Sequence, residues 1–291
     1  MPGCEFSKLY RNTPETRPPY VRGVTNGWRE GAGAEGARRW SDLAWPELTA
    51  LDRDTDVGLV PVGATEQHGP HLPTGTDTII AQALCDAASV ATGAPVLPAI
   101  AIGCSYGHGT ELPGQLSLSP ELLAAVLREY AQWAAQSGLR RLLFVNAHFG
   151  NVGALLSATD DLRLHRTDLR VGIANWWALD QVVSAEMTAD GDDVHANRAE
   201  TALMMHIAPE LVHVGRIRDA DDPDRTGSLV FRYTAPALST NGVTGRPSEA
   251  TPELGAKLFG LTVDALVDRV RRGRLEVSPL TVSPEPAERR A

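Results

Sequence analysis

The sequence has no long apolar run, few cysteines and a deficit of positive charge, and each scarcity excludes a class of protein. No segment approaches the ~18 consecutive apolar residues that a membrane-spanning helix needs, and the first residues lack the apolar core of a secretion signal. The 3 cysteines in 291 residues are too few and too scattered for a disulfide framework or a Cys-x-x-Cys metal site. We therefore expect a cytoplasmic globular protein without a membrane partner.

The charge balance argues against a nucleic-acid partner. Lys and Arg number 27 against 36 Asp and Glu, a formal net charge of −9, whereas nucleic-acid binding relies on an excess of basic side chains that contact phosphates. The only lysines are Lys8 and Lys257, and neither follows the glycine-rich segment of a phosphate-binding P-loop. We expect a small molecule as the ligand.

Composition divides the chain into three segments. Residues 1–38 are rich in Pro, Gly and Arg and predict an extended amino-terminal arm, residues 39–273 form the domain, and residues 274–291 form a tail. The arm carries Tyr10, Tyr20 and Trp28. These large side chains leave two alternatives open, a loose terminus or an arm that packs on a neighbouring subunit.

Within the domain, apolar runs alternate with segments of helical periodicity. Strands are predicted at 57–64, 95–102, 142–146 and 169–177, and helices at 77–91, 119–137, 152–165, 196–207 and 252–271. Such alternation predicts an α/β fold with a mostly parallel sheet covered by helices on both faces. Ligands of these sheets bind beyond the carboxyl ends of the strands, so the chemistry is expected there.

Histidines and carboxylates gather where the predicted strands end. Five of the 8 histidines lie in turns beside Gly, Asp or Glu, in the loops 65–77, 105–111, 146–151 and 192–201. Imidazole and carboxylate are the ligands that Zn²⁺ and Mn²⁺ prefer. Any single histidine can instead serve only to hydrogen-bond its own turn, but several such loops at successive strand ends favour a metal site.

Four segments resemble the signatures of the creatininase (creatinine amidohydrolase) family. Residues 63–77 read GATEQHGPHLPTGTD, 111–120 read ELPGQLSLSP, 146–151 read NAHFGN and 193–201 read DVHANRAET. They follow the family's order, and residues 40–48 (WSDLAWPEL) are similar to its usual opening. The resemblance implies a creatininase-like three-layer sandwich and a hydrolase of amide C–N bonds.

The resemblance also implies the ligands of one or two divalent ions, Zn²⁺ and/or Mn²⁺. Glu66, Asp77 and His148 match the ligands of one ion, and His68 with the bridging Asp77 match those of the second. Creatininase completes the second ion with a Glu where this chain has Gly150. Glu200 is the predicted substitute.

The implied reaction needs an acid near the ions. Two cations lower the pKa of a shared water, and the resulting hydroxide attacks an amide carbonyl. His195 matches the family's catalytic histidine and would protonate the departing nitrogen, with Asp193 or Asp192 orienting it and Glu200 beside it.

Departures from the family motifs fall in segments expected to face the substrate. The predicted pocket residues are His108, Glu111, Trp176, Trp177 and Arg198. Alternatives remain for some of them, since a tryptophan at a strand end can belong to the core and an arginine at a helix start can be solvated. Creatinine itself is therefore not the expected substrate.

Several substrates and one different class of function stay open. A lactam, a formamide or a small peptide-like amide fits the implied reaction, a peptidase that trims a modified peptide is an alternative, and a metal-free or single-metal relative that acts as a binding or assembly subunit is another. The family also implies a homo-oligomer, with a hexamer favoured.

Overall fold

The computed structural model describes residues 36–280 of the chain. The strands are β1 (Val57–Val62), β2 (Arg141–Asn146) and β3 (Arg170–Asn175). The α-helices are α1 (Trp45–Leu48), α2 (Thr76–Thr92), α3 (Pro120–Gln136), α4 (Val152–His165), α5 (Gln181–Met187), α6 (Arg198–Ile207), α7 (Val214–Ile217), α8 (Ala235–Leu238) and α9 (Pro252–Leu275). Short 3₁₀ turns lie at Trp40–Asp42, Tyr106–His108, Phe149–Asn151, Trp176–Ala178, Pro209–Leu211 and Pro247–Glu249.

The three strands form one parallel sheet in the order β1-β2-β3. Val57 pairs with Arg141, and Arg141 pairs with Arg170, so the strands start level with one another. They also end level, and the loops that follow them meet at one edge. The predicted parallel α/β fold is confirmed.

Alternate residues of the strands enter two separate apolar cores, one on each face of the sheet. Leu59 and Val145 pack with α2, α6 and α9, whereas Val60 and Phe144 pack with α3 and α4. Helices therefore cover both faces, in the three layers expected.

Helix starts follow the capping signals in the sequence. The Ser119 hydroxyl accepts from the backbone N–H of Leu122 at the start of α3, and Thr251 does the same for Leu254 at the start of α9. Asn197 accepts from the first backbone N–H groups of α6. These side chains satisfy donors that have no partner within the helix, which fixes where each helix begins.

Two predicted strands differ from the structure. Residues 95–102 run beside β1 but make only isolated parallel bridges, through Val96 and Ile100, because Pro95 and Pro98 have no N–H to donate to a ladder. The last strand ends at Asn175, and residues 176–178 turn into a 3₁₀ helix instead of continuing it.

The predicted terminal segments lie mostly beyond the described residues. Of the arm 1–38 only 36–38 are described, and of the tail 274–291 only 274–280, where α9 continues to Leu275. Between residues 36 and 280, no helix is both long and apolar enough to span a bilayer.

Candidate metal centre

Five buried side chains from four segments converge at the carboxyl edge of the sheet. Glu66 and His68 lie in the loop after β1, and Asp77 is the second residue of α2. His148 follows β2, and Glu200 lies in the first turn of α6. All five are less than a tenth exposed.

These side chains form two groups of potential ligands that share Asp77. One group is Glu66, Asp77 and His148, and the other is His68, Asp77 and Glu200; within each, one donor atom per residue lies within 4.8 Å of the others. The Asp77 Oδ1 lies 3.1 Å from His68 Nε2, and its Oδ2 lies 3.3 Å from His148 Nδ1. The Glu66 Oε1 lies 3.2 Å from the same nitrogen of His148. One carboxylate thus faces both groups, as a bridging ligand must.

Backbone carbonyls determine which ring nitrogen faces the carboxylates. The His148 Nε2–H donates to the carbonyl of Cys104 (2.9 Å), so its Nδ1 points into the centre. The His68 Nδ1–H donates to the carbonyl of Glu66 (3.2 Å), so its Nε2 points inward. A hydrogen bond on the far nitrogen is the usual means of orienting a metal-bound histidine.

The buried carboxylates lack ordinary hydrogen-bond donors. Among the described residues, both side-chain oxygens of Glu66, Oδ2 of Asp77 and Oε2 of Glu200 accept no well-formed hydrogen bond. Glu66 Oε1 and Asp77 Oδ2 face imidazole nitrogens at 3.0 to 3.8 Å. Buried carboxylates without donors are costly unless paired with a cation, so this donor set fits divalent ions.

The histidines and carboxylates of the centre shift one another's pKa. Burial acts to raise the pKa of Glu66, but facing His148 and His108 hold that pKa well below its ordinary value. Burial acts to lower the pKa of His68, but Asp77 outweighs it and raises the pKa to about 9. The pKa of His148 is likewise raised by Glu66 and Asp77 against burial. A cation binding here would replace the protons of these two rings.

Glu200 differs from the other carboxylates of the centre. Burial raises its pKa to about 7, with nearby His68 opposing and Asp77 adding to the rise. The ionised form of Glu200 is therefore unfavourable without a cation beside it, as expected of a carboxylate that binds a metal.

Two further histidines complete the centre. The His195 Nδ1 lies 3.8 Å from Glu66 Oε1, and its ring lies against those of His68 and His108, with centroids 4.4 and 4.3 Å apart. The His195 Nε2–H donates to the backbone carbonyl of Gln67 (2.7 Å). Burial, followed by the charges of His108 and His68, lowers the pKa of His195 well below its ordinary value, so a neutral ring presents Nδ1 to the site.

Gln67 holds His108 in one orientation. The Gln67 Oε1 accepts from the Gly69 N–H and its Nε2 donates to the Gly242 carbonyl, each at 2.9 Å, which fixes the amide. The amide therefore donates to His108 Nδ1 (3.1 Å), and the Nε2–H of His108 lies 3.0 Å from Glu66 Oε1. Sequence reasoning placed His108 in the pocket but missed Gln67, although it stands between two predicted ligands.

The predicted aspartate partner of His195 is replaced by a backbone group. In residues 36–280, neither Asp192 nor Asp193 makes an ion pair or hydrogen bond to His195. Their backbone N–H groups instead donate to Asp224, at 2.9 and 3.3 Å. The backbone carbonyl of Gln67 orients the His195 ring instead. Because every residue has such a carbonyl, the sequence gives no sign of this contact.

Asn151 ties the loops of the centre together. Its Nδ2 donates to the carbonyl of Gly63 (2.9 Å) and to Asn146 Oδ1 (3.2 Å), and its Oδ1 accepts from the Cys104 N–H (2.9 Å). One buried side chain thus joins the ends of β1 and β2 to the loop that orients His148. This role explains the second Asn of the segment 146–151.

The two predicted pocket tryptophans have different environments. Trp176 is 1% exposed and packs in the core, so the prediction that it lines the substrate pocket is wrong. Trp177 is half-buried, and its ring stacks on Phe149 with centroids 3.9 Å apart. Because Phe149 follows His148 directly and is 41% exposed, this pair forms an apolar wall beside the centre.

Two other predicted pocket residues are engaged elsewhere. The Arg198 guanidinium pairs with Glu186, and its backbone N–H donates to Asp190, so this arginine has carboxylate partners within the chain and its contact with a substrate stays a prediction. Glu111 is exposed and accepts from the Thr110 N–H of its own loop (2.9 Å). Neither side chain belongs to the groups around Asp77.

Two residues with catalytic side chains near the centre have other environments. His71 is fully buried, and its Nε2 lies 2.8 Å from the Thr201 hydroxyl, which makes it a link between the first loop and α6. Residues 103–107 read GCSYG, the spacing of a serine-hydrolase elbow. The Ser105 hydroxyl has no hydrogen-bond partner in the described chain, so no base is placed to activate it.

A buried cluster of imidazoles and carboxylates at the carboxyl edge of a parallel sheet is typical of metal-dependent hydrolases. The family model for creatininase (creatinine amidohydrolase) matches residues 41–270. The chain therefore belongs to the creatininase family, and it is a hydrolase of that family.

Two curated relatives differ in what they act on. The mycofactocin precursor peptide peptidase of Mycobacterium tuberculosis (strain ATCC 25618 / H37Rv) is 37% identical over 226 residues, covering 74% of this chain and 84% of that protein. The creatinine amidohydrolase of Pseudomonas putida is 27% identical over 246 residues, covering 79% of this chain and 95% of that protein.

Solved creatininase structures have a fold similar to that of this chain. A crystal structure of creatinine amidohydrolase superposes with a TM-score of 0.71 at 26% identity, covering 84% of this chain and 100% of that chain. A manganese creatininase matches with a TM-score of 0.69 at 25% identity, and the match covers 81% of this chain and 98% of that chain. A Zn-Zn type creatininase mutant matches with a TM-score of 0.70 at 26% identity, and the match covers 82% of this chain and 98% of that chain. Zinc and manganese therefore occur in the family.

Proposed function

We propose that this chain is a divalent-metal-dependent amidohydrolase that cleaves an amide C–N bond in a short, peptide-like substrate. The observation that carries the proposal is the pair of donor groups that share the buried Asp77. Its membership of a hydrolase family supports the reaction class, and the 37% identity to a precursor-peptide peptidase supports the substrate class.

The positions of the donor atoms support one set of ligands for each ion. Glu66, Asp77 and His148 would hold one ion, and His68, Asp77 and Glu200 the other. When bound, Zn²⁺ or Mn²⁺ supplies Lewis-acid chemistry, lowering the pKa of water and polarising an amide carbonyl.

His195 is the proposed proton carrier. Its Nε2–H is engaged by the Gln67 carbonyl, so Nδ1 is the nitrogen free to take up a proton on the side of the carboxylates. The departing amide nitrogen needs that proton because an unprotonated amine anion is a very poor leaving group. His108, held by Gln67, presents an N–H to the same space and can orient a polar group of the substrate.

The surroundings of the centre suit a substrate larger than a lactam or a formamide. The Phe149–Trp177 pair supplies an apolar wall, and Tyr106, in the 3₁₀ turn that ends at His108, is 60% exposed. Half-exposed aromatic rings beside a buried polar centre are suited to binding the side chains of a peptide. The peptidase alternative is therefore better supported than hydrolysis of a cyclic amide.

A substrate panel tests the proposal. Purified protein loaded with Mn²⁺ or Zn²⁺ is incubated with short peptides carrying apolar residues, with creatinine and with an N-formyl amine, and the products are followed by mass spectrometry. We expect peptide cleavage that is lost in Asp77→Asn and kept in Asp160→Asn, a matched change at an exposed position of α4. Turnover of creatinine alone would overturn the substrate class, and protein that binds no metal would favour the metal-free subunit.

We further propose that the chain forms a homo-oligomer. An apolar groove of about 630 Å³ lies along α3, lined in part by Trp40, Leu122 and Trp133, and none of its residues belongs to the centre. Trp133 is 69% exposed, an exposure that contact with a second subunit would remove. Light scattering should give a mass above that of one chain for the wild type and a lower mass for Trp133→Glu; a monomeric wild type would refute the proposal.

A further inference from the structure

A cavity lined by arginines and by apolar side chains lies at the opposite edge of the sheet from the metal centre. Arg141 and Arg170 are the first residues of β2 and β3, and they pair in register. Side chains at paired positions of neighbouring parallel strands leave the same face of the sheet, about 5 Å apart. Two guanidinium groups, always charged in proteins, are therefore side by side at the amino ends of the strands.

Helix α9 adds two more arginines to the same cavity. Arg269 and Arg272 are one turn apart on α9 and line a space of about 260 Å³ together with the two strand arginines. Gly273 faces β1 between these arginines, with the Val57 side chain 3.5 Å from the position a Cβ would take, an ordinary contact distance. The fold thus brings four arginines together in a chain whose net charge is −9.

The positive charge of this cavity is only partly compensated, although Glu276 also lines it and the charge of Arg141 helps to lower the pKa of Asp52. Arg272 pairs with Asp268 (2.7 Å), and the Arg170 guanidinium donates to the backbone carbonyl of Glu276. Between residues 36 and 280, Arg141 and Arg269 have no carboxylate within ion-pairing distance and no side-chain hydrogen bond. The Nε of Arg141 is buried without a partner.

Like charges in register on neighbouring strands repel one another, and a buried donor without an acceptor is unfavourable. Both costs disappear if an anion with several oxygen atoms occupies the cavity. Guanidinium groups bind such anions through paired N–H donors, which is why arginine predominates in phosphate and carboxylate sites.

We propose that this arginine cavity (Arg141, Arg170, Arg269 and Arg272) binds a small oxyanion, a phosphate group or a carboxylate. Its volume suits a single anionic group with a small substituent rather than a nucleotide. The cavity is separated from the metal centre by the length of β2, six residues or about 20 Å. It is therefore a site distinct from the one that holds the proposed metals.

Anion titrations of the full-length, as-purified protein test the proposal. The thermal unfolding midpoint is recorded against inorganic phosphate and, separately, against acetate, with chloride keeping the ionic strength constant. The variant is Arg269→Gln, which removes one unpaired charge from a helix surface. The matched control is Arg218→Gln, an exposed arginine outside the cavity for which the structure gives no ion pair or hydrogen bond.

We expect a saturable rise in the midpoint for the wild type and for Arg218→Gln with at least one of the two anions. In Arg269→Gln the half-saturating concentration should rise at least tenfold, while circular dichroism confirms that the variant is folded. The anion that produces the effect identifies the group bound. No response beyond that of chloride, or an equal response in Arg269→Gln, would overturn the proposal and leave the metal centre unaffected.

Discussion

The Nε2–H of His148 donates to the backbone carbonyl of Cys104 across 2.9 Å, and this contact explains a departure from the creatininase motif. A Cβ at Gly150 would lie 2.2 Å from that carbonyl oxygen and 2.4 Å from His148 Nε2. The chain therefore has no room for a side chain where creatininase has a Glu. The hydrogen bond that orients His148 therefore leaves no space for a glutamate ligand at position 150.

The first prediction follows from this contact. Gly150→Ala should push the Cys104 carbonyl away from His148, weaken binding of the first divalent ion at least tenfold, and lower the free energy of unfolding by about 1–3 kcal/mol. Titration calorimetry with Mn²⁺ and chemical denaturation measure the two effects. Gly153→Ala is the matched control, since no atom lies within 4 Å of its added Cβ, and it should be neutral or stabilising. Equal behaviour of the two variants would contradict the steric argument.

The second prediction concerns Glu200. Its carboxylate is buried, lacks a donor for Oε2, and shares a group with His68 and Asp77. Glu200→Gln keeps the shape but removes the charge, so bound metal should fall from about two ions per chain to about one. Elemental analysis after dialysis checks this, with exposed Glu210→Gln as the control. Unchanged metal content in Glu200→Gln would show that other groups complete the second site.

The convergence of these side chains can be predicted from the sequence because strand ends meet at one edge of a parallel sheet. Glu66, His68, Asp77, His148 and Glu200, drawn from loops up to 134 residues apart, come together as the motif resemblance implies. What was missed depends on partners that no motif encodes. The carbonyls of Gln67 and Cys104 orient the rings of His195 and His148, and backbone atoms carry no residue-specific signal.

The other differences between the expectations and the structure have similar physical causes. Arg198 pairs with Glu186, twelve residues earlier on another helix, a pairing that only the packing of α5 against α6 creates. Trp176 enters the core because β3 ends one residue before it and the chain turns there. Residues 95–102 lie beside β1 as predicted, but two prolines without an N–H group prevent continuous strand pairing.

The third prediction is that metal binding releases protons. In the ion-free chain the pKa of His68 is raised to about 9 and that of His148 is raised as well, so both rings are protonated at pH 7. Ligation requires neutral imidazole. Binding at pH 7 should therefore release about two protons from the rings and a further fraction from Glu200, whose pKa is raised to about 7, and affinity should rise as the pH is raised above 7. Calorimetry in buffers of different ionisation enthalpy counts these protons; a heat that is independent of the buffer would contradict the assignment.

The fourth prediction is a loss of stability in acid caused by His71. Burial, followed by the charge of His68, lowers its folded-state pKa from 6.5 to about 4, although Asp221 opposes this. Between these values the unfolded chain binds a proton that the folded chain does not, so stability is retained above pH 6.5 and lost as the pH falls toward 4. The loss amounts to roughly 3 kcal/mol.

Substitution isolates this contribution from the other acid-sensitive groups. His71→Gln can keep a hydrogen bond to Thr201 while removing the titration. Between pH 7 and pH 4, the denaturant midpoint of the wild type should fall further than that of the variant. Parallel pH profiles for the two proteins would show that His71 contributes nothing to acid sensitivity.

The most direct test of the account is a crystal structure of the protein soaked in Mn²⁺, with anomalous scattering recorded to place the ions. The proposed centre predicts two anomalous peaks per chain, one on each side of Asp77, with oxygen and nitrogen donors of the two groups about 2.0–2.3 Å from them. In Asp77→Asn, both anomalous peaks should be absent or weak because the ions bind weakly or not at all. Absence of any peak between Glu66 and Glu200, or a single ion that does not touch Asp77, would contradict the central claim.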